Sequence, residues 1–225
     1  MLDWLPENVS TFGGAVDALF FQIYYLTNTV LILVFSTLLY FLVTFRARPG
    51  HKARYLTGNT RLEVVWTAVT LTVMVVLALV SGPTWANIKE RPVSSPDGFT
   101  AQIVGKQYNW VMRYPGPDGM LATGDDLELE NELYVPVDTD VWILLSAEDV
   151  IHSFFVPQFR LKQDLVPGRE IPAWFQATRP GTYEIACAEL CGFGHSTMRG
   201  WVHVLSKDDY ADWVVDTLRP SEGVR

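Results

Sequence analysis

Cys187-Ala188-Glu189-Leu190-Cys191-Gly192-Phe193-Gly194-His195-Ser196-Thr197-Met198 places two thiols, an imidazole and a thioether in one short stretch, spaced Cys-x3-Cys-x3-His-x2-Met. The chain has 2 cysteines, and both are here. A second imidazole, His152, lies upstream, beyond the apolar run Val141-Trp142-Ile143-Leu144-Leu145. Thiolate, thioether and imidazole suit copper far better than magnesium or calcium. One Cys with two His and a Met describes a single blue copper, and a second thiolate is one too many for that site. Two bridging thiolates can instead hold two copper ions, each capped by one His and one weak axial donor.

The competing reading of the cysteines is a disulfide, the usual fate of a lone pair outside the cytoplasm. A Cys-x3-Cys bridge closes so small a loop that it removes little entropy from the unfolded chain. Gly192 and Gly194 suit tight turns between ligands, and His195 and Met198 follow at close range. A structural disulfide needs neither, so the metal reading leads.

Around this loop the chain reads as strands. Residues 100–104, 110–114, 133–137, 141–146, 171–178, 181–186 and 200–205 are short, rich in β-branched and aromatic residues, and separated by Pro, Gly or Asp turns. Such a set indicates a small sandwich or Greek-key barrel, and copper on a β-sandwich implies a cupredoxin-like fold. Lys207 to Leu218 places Tyr210, Trp213, Val214 and Leu218 at helical spacing, a helix packed on the barrel. Gly116-Pro117-Asp118-Gly119 and Thr123-Gly124-Asp125-Asp126 form an acidic tip within 118–132. Carboxylates suit calcium, but there is no EF-hand spacing and the composition is that of an exposed turn. His51 and His203 have no ligand companion nearby and read as structural.

The first part of the chain is different. No charged residue occurs from Phe20 to Phe45 or from Val64 to Asn87. Each run exceeds the ~20 apolar residues that cross a bilayer core as helix, which argues against two buried helices of a soluble protein. A cleaved signal peptide fits poorly, since Asp3, Glu7 and Asp17 precede the first run without any Lys or Arg. The connector carries Arg46, Arg48, Lys52, Arg54 and Arg61, with no acid before Glu63. The positive-inside rule assigns it to the cytoplasm, leaving both chain ends outside. Gly82, Pro83, Pro92, Ser94, Ser95, Pro96 and Gly98 mark the membrane exit and a linker.

The 225 residues suggest one or two domains. The expected organisation is an external segment 1–19, spans at 20–45 and 62–87 joined by a basic loop 46–61, a linker 88–98, a β domain 99–206, and a C-terminal helix and tail 207–225. The chain carries a net charge of −8, and no nucleic-acid partner is expected. From Phe99 onward there are 19 acids and 10 Lys or Arg, a net of −9. That charge suits solubility, or steering of a basic electron donor. Asp125, Asp126, Glu128, Glu130, Glu132, Glu148 and Asp149 are the candidates for steering.

The 187–198 loop resembles the dinuclear copper (CuA) loop of subunit II of haem-copper cytochrome c oxidases. Asp149-Val150-Ile151-His152-Ser153-Phe154-Phe155-Val156-Pro157, then Leu161-Lys162-Gln163-Asp164 and Pro167-Gly168-Arg169, resemble that family too. The likeness runs from the first span to about Val204. It implies a cupredoxin fold in a bacterial inner (plasma) membrane, with the C-terminal domain periplasmic. It also implies an electron-transfer role: a c-type cytochrome donates to two copper ions, which pass electrons to the haem of subunit I, where O2 is reduced.

The resemblance assigns residues as follows. Cys187 and Cys191 bridge the coppers; His152 and Met198 complete one, and His195 with the backbone carbonyl of Glu189 completes the other. The Glu189 carboxylate binds Mg2+ (or Mn2+) at the interface with subunit I, the subunit that carries haem and CuB; subunit III is a further partner. Glu63, in Leu62-Glu63-Val64-Val65-Trp66-Thr67, corresponds to an acid at the entrance of a proton-uptake path. On physical grounds alone it is a helix-start acid favoured by the dipole. The family has a Trp as electron-input residue in Gly-x-Gln-Trp-x-Trp, whereas this chain reads Gly105-Lys106-Gln107-Tyr108-Asn109-Trp110. Tyr108 at that position puts docking of a soluble cytochrome c in doubt and favours a tethered haem domain or a supercomplex. No Cys-x2-Cys-His is present, so any such haem sits on another polypeptide.

The alternatives are a CuA subunit of a related reductase of the nitric oxide reductase type, and a non-redox assembly protein with a 187–191 disulfide. Quinol-oxidising relatives lose the copper ligands, and all five side-chain ligands stand here.

Overall fold

The computed structural model describes residues 5–50, 52, 55–91 and 99–218. His51, Arg54, most of the 88–98 linker and the tail after Leu218 lie outside the described residues. The chain divides into two compact units, Ala15–Asn87 and Met1–Gly14 with Ile88–Arg225. The chain therefore leaves the second unit at Gly14 and re-enters it at Ile88.

The first unit is helical, with α1 at Gly13–Thr44 and α2 at Thr60–Lys89. At 1.5 Å per residue, ~30 residues make about 45 Å of helix, longer than a bilayer core. Large apolar side chains are exposed along both helices, among them Leu33, Leu42, Leu71 and Leu79. Several polar side chains bond within their own helix. Thr27 Oγ1 donates to Ile23 O at 2.9 Å, Thr37 to Leu33 O at 2.8 Å, and Thr72 to Ala68 O at 2.8 Å. The Asn28 amide donates to Tyr24 O at 2.7 Å. That is the arrangement a lipid setting demands, where no water can serve a backbone or side-chain dipole. Asn59 caps α2, its Oδ1 accepting from the Leu62 N–H at 3.2 Å. The helix runs through Pro83 to Lys89, two residues beyond the 87 expected for the end of the second span. A proline costs a helix one donor, and the neighbouring turns carry it.

The second unit is a sandwich of two five-stranded sheets. One sheet contains β1 (Ala101–Lys106), β2 (Asn109–Tyr114), β3 (Leu127–Glu130), β5 (Val141–Ala147) and β8 (Ile171–Phe175), in the order β3-β2-β1-β5-β8. The other contains β4 (Glu132–Pro136), β6 (His152–Val156), β7 (Leu161–Leu165), β9 (Gly181–Cys187) and β10 (Arg199–Leu205), in the order β4-β10-β9-β6-β7. The pairs β1–β5 and β4–β10 are parallel, and all the others are antiparallel. Between the sheets lie Trp110, Trp142, Tyr114, Phe154, Phe159, Phe175 and Ile103, all fully buried. Three strands, β3, β6 and β7, were not read from the sequence. Leu-Glu-Leu-Glu lies within the stretch 118–132 that reads as an acidic tip, and Leu-Lys-Gln-Asp reads only as part of the family resemblance. His-Ser-Phe-Phe-Val was absorbed in the metal motif.

Residues before α1 are part of this sandwich, which composition gave no reason to expect. Ser10 bridges Ala177, the Val9 N–H donates to Gln158 O at 2.9 Å, and the Thr178 N–H donates to Val9 O at 2.9 Å. Val9 and Phe12 are buried, and Phe12 meets Trp174 edge-on at 5.4 Å. Ser10 also caps α1, its Oγ accepting from the Gly13 N–H at 3.1 Å. At the other flank the Trp174 indole donates to Ile88 O at 3.1 Å, and the Arg91 guanidinium lies 4.1 Å above the Trp174 ring while pairing with Asp140. Near the C-terminus, Ser206 caps α3 (Lys207–Trp213), and Trp213 stacks on Tyr134 at 5.0 Å and meets Tyr114 at 5.1 Å.

Candidate metal centre

Register sets the site. β6 pairs with β9 so that Phe154 faces Cys187, which brings His152, at the start of β6, to the end of β9 where the 188–198 segment begins. That segment returns into β10, and the Cys187 N–H donates to Met198 O at 3.3 Å across its neck. His152 is fully buried; Cys187, Cys191 and Met198 are buried; His195, on a short 3-10 turn, is half-buried.

The donor atoms converge. Cys187 Sγ stands 3.8 Å from Cys191 Sγ and 3.9 Å from His152 Nδ1. Cys191 Sγ stands 3.7 Å from His195 Nδ1 and 3.9 Å from Met198 Sδ. The Glu189 carbonyl oxygen is 3.2 Å from Cys187 Sγ, while the Glu189 side chain is exposed. Donor atoms of His152, Cys187 and Cys191 all lie within 4.8 Å of one another.

This geometry fits a soft metal ion. The sulfurs are far beyond the ~2.05 Å of a disulfide. Their 3.8 Å separation leaves both within reach of one ion with metal–sulfur bonds of ~2.3 Å. Burial, and then the neighbouring Cys187 sulfur, push the Cys191 thiol up to about 11. Two adjacent buried thiolates therefore call for a bound cation to hold them. A His/Cys/Cys cluster of this kind suits copper.

Around the donors, β1 and its turn into β2 form a wall. Gly105 leaves room for His152: a Cβ there would sit 3.0 Å from the imidazole ring. The Trp110 ring meets that of His152 edge-on at 6.1 Å. Tyr108, 38% exposed, lies against the ligand loop. A Cβ at Gly194 would come within 2.5 Å of its ring, and one at Gly192 within 2.7 Å of its hydroxyl. Only Gly192, at φ +134°, has the backbone that favours glycine. Gly194 sits in the turn closed by the His195 N–H on Gly192 O at 3.2 Å, as the sequence suggested, and also admits the close approach of Tyr108. A glycine inside a strand signals such an approach, so Gly105 was the available hint of the crowding around His152.

The acids expected to steer a donor have mostly local partners. Glu128 pairs with Arg113 at 2.6 Å, and Glu132 pairs with His203. Thr123 Oγ1 donates to Asp125 at 2.6 Å, and the Ala122 N–H donates to Asp126 at 2.7 Å, so the 116–126 tip turns carboxylates onto itself. Asp149 Oδ1 accepts from His152 Nε2 at 2.8 Å. Burial alone would raise the Asp149 carboxyl, but hydrogen bonds from His152, Gln107 and Val150 outweigh it and hold the group below its ordinary value. His203 bonds Thr182 Oγ1 at 3.1 Å and stacks on Tyr134. Glu63 stands in the first turn of α2, in the helical unit.

The family described as cytochrome c oxidase subunit II matches twice, through its transmembrane domain at residues 5–83 and its periplasmic domain at residues 117–205. The alternative cytochrome c oxidase subunit 2 of Bradyrhizobium diazoefficiens is 32% identical over 234 residues, covering 94% of this chain and 82% of that one. Cytochrome c oxidase subunit 2 of Thermostichus vulcanus is 32% identical over 263 residues, covering 93% and 77%. Among solved structures, the periplasmic domain of subunit II from Bradyrhizobium japonicum is 30% identical, with a TM-score of 0.49, covering 57% of this chain and 97% of that domain. With two apolar helices and a soluble C-terminal β domain, this membrane protein belongs to the cytochrome c oxidase subunit II family of the haem-copper oxidases.

Proposed function

We propose that this chain is the electron-input subunit of its oxidase, holding two copper ions between β6 and the 187–198 loop. The convergence of Cys187, Cys191, His152, His195 and Met198 donor atoms supports this reading. Cys187 and Cys191 would hold both ions through their thiolates, with His152 and Met198 as further ligands to one, and His195 and the Glu189 carbonyl to the other. Held there, copper would supply one-electron transfer between a c-type cytochrome and the haem of subunit I.

The protein's part is to hold, bury and orient. The buried sulfurs and His152 exclude water, and a fixed donor set keeps the change in geometry on electron transfer small. Tyr108, packed on the loop yet exposed, offers the aromatic input surface. Leu190 and Phe193, 77% and 102% exposed at the loop tip, are the apolar side chains a protein partner would cover. The outward Glu189 carboxylate is the donor for Mg2+ or Mn2+ at a subunit I interface, and subunit III completes the complex. Glu63 marks the start of a proton-uptake route. The basic 46–61 loop faces the cytoplasm, and both flanks of the hairpin lie on the periplasmic side, in keeping with the single unit formed by residues before Gly14 and after Ile88. The family relation favours an oxidase over a nitric oxide reductase.

The test is electron paramagnetic resonance of the full chain in detergent, loaded with copper. The expected result is one spin per two coppers with a seven-line hyperfine pattern, lost in Cys191→Ser. A four-line single-copper signal from the unmodified chain would refute the bridged pair.

A further inference from the structure

The wall beside the metal site contains a continuous hydrogen-bonded chain that ties its two ligand-bearing segments together. His152 Nε2 is 2.8 Å from Asp149 Oδ1, which also accepts from the Val150 N–H at 2.6 Å. The other carboxylate oxygen, Oδ2, accepts from the Gln107 N–H at 2.7 Å. The Gln107 side-chain amide in turn donates to Cys191 O at 2.6 Å. Starting at His152, the links run through Asp149 and Gln107 and end on the backbone of a sulfur ligand. No step of that chain is a bond between neighbouring strands of the sandwich.

We propose that Asp149 and Gln107 are positioning residues for the metal site, one fixing the His152 imidazole and the other fixing the Cys191 backbone against it. The inference rests on the copper reading given above. A carboxylate facing Nε2 can only accept, so the ring proton sits on Nε2 and the lone pair is left on Nδ1, the nitrogen that faces Cys187 Sγ. With Gly105 behind the ring, His152 has one orientation. The Asp149 carboxylate is therefore held in the site by three donors. Its negative charge beside a ligand favours the more positive, oxidised state of whatever that ligand binds. Gln107 acts differently. It adds no charge, but it holds the loop carbonyl between Cys191 and Gly192, and the same turn sets Tyr108 on Gly192 and Gly194.

Asp149→Ala, Asp149→Asn and Gln107→Ala are to be compared with the unmodified full chain, copper-loaded in detergent. The readouts are the reduction potential, the hyperfine pattern and the rate of copper loss to a chelator. Asp149→Ala is expected to raise the reduced-to-oxidised ratio at fixed poise at least tenfold, about 59 mV for one electron. Asp149→Asn, which keeps the shape and an acceptor for His152 but lacks the charge, should move the potential in the same direction by less. It also serves if the alanine variant fails to fold. Gln107→Ala should release copper at least tenfold faster with little change in potential. If all folded variants keep the unmodified potential, hyperfine pattern and release rate and lose only thermal stability, the two residues are ordinary wall packing and the proposal is overturned. A two-copper signal from the unmodified chain keeps that failure separate from failure of the copper reading.

Discussion

The helical unit and the β unit satisfy their polar groups in opposite ways. In α1 and α2 each threonine hydroxyl described above bonds a carbonyl about one turn back, so each helix closes its own hydrogen bonds. In the β unit the decisive bonds reach across the chain: Ser10 to Phe159, Gln107 to Cys191, Trp174 to Ile88. A self-contained helix can be moved, tilted or repacked without losing its internal bonds. A sandwich built from distant pairings loses its site when one pairing slips. The part that anchors the protein is therefore locally specified, and the part that carries the chemistry is not.

Three substitutions sharpen that contrast. The largest effect is expected where a distant segment is built into the β unit. Phe12→Ala removes a buried ring packed on Trp174 and should destabilise that unit by about 3–5 kcal/mol. Chemical unfolding of the full chain in detergent, followed by near-ultraviolet circular dichroism, measures it. A loss below ~1 kcal/mol would mean that the pre-helix segment is not part of the core. An intermediate effect, on function rather than stability, is expected from Glu63→Gln in the assembled oxidase: slower proton uptake and turnover, with copper reduction unchanged. Full turnover would remove Glu63 from the mechanism. The smallest effect is expected from Thr72→Val, whose hydroxyl bonds only its own helix. The shift in thermal stability should correspond to no more than about 0.6 kcal/mol; a large one would show that this face of α2 depends on tertiary hydrogen bonding.

Legibility followed the same division. Both helices could be read because more than ~20 uncharged residues in a row have one physical outcome. The second helix runs through Pro83, as the uncharged run to Asn87 implied. In the β unit, seven strands were legible from alternation and turn residues, but β3, β6 and β7 were not. Their residues alternate acid with apolar, or belong to the metal motif, and only pairing with β2, β9 and each other makes them strands. The acidic residues show the limit most clearly. Asp149 and Glu132 read as candidates for steering a donor, and in the fold one bonds a buried imidazole and the other pairs with His203. A charge count carries no information about which hydrogen-bond donor each acid will meet.

What the sequence determined by itself is the two apolar helices, the basic connector and the soft donor set packed into residues 187–198. Each depends on neighbours within a few turns of chain, so composition and spacing suffice. Tertiary structure alone decided that His152 reaches the sulfurs through the β6–β9 register, that residues before α1 complete the core, and that Gly105 and Gly194 make room for two aromatic rings. Those outcomes depend on which distant segments pair, and pairing is set by the summed burial of the whole sandwich rather than by any local stretch.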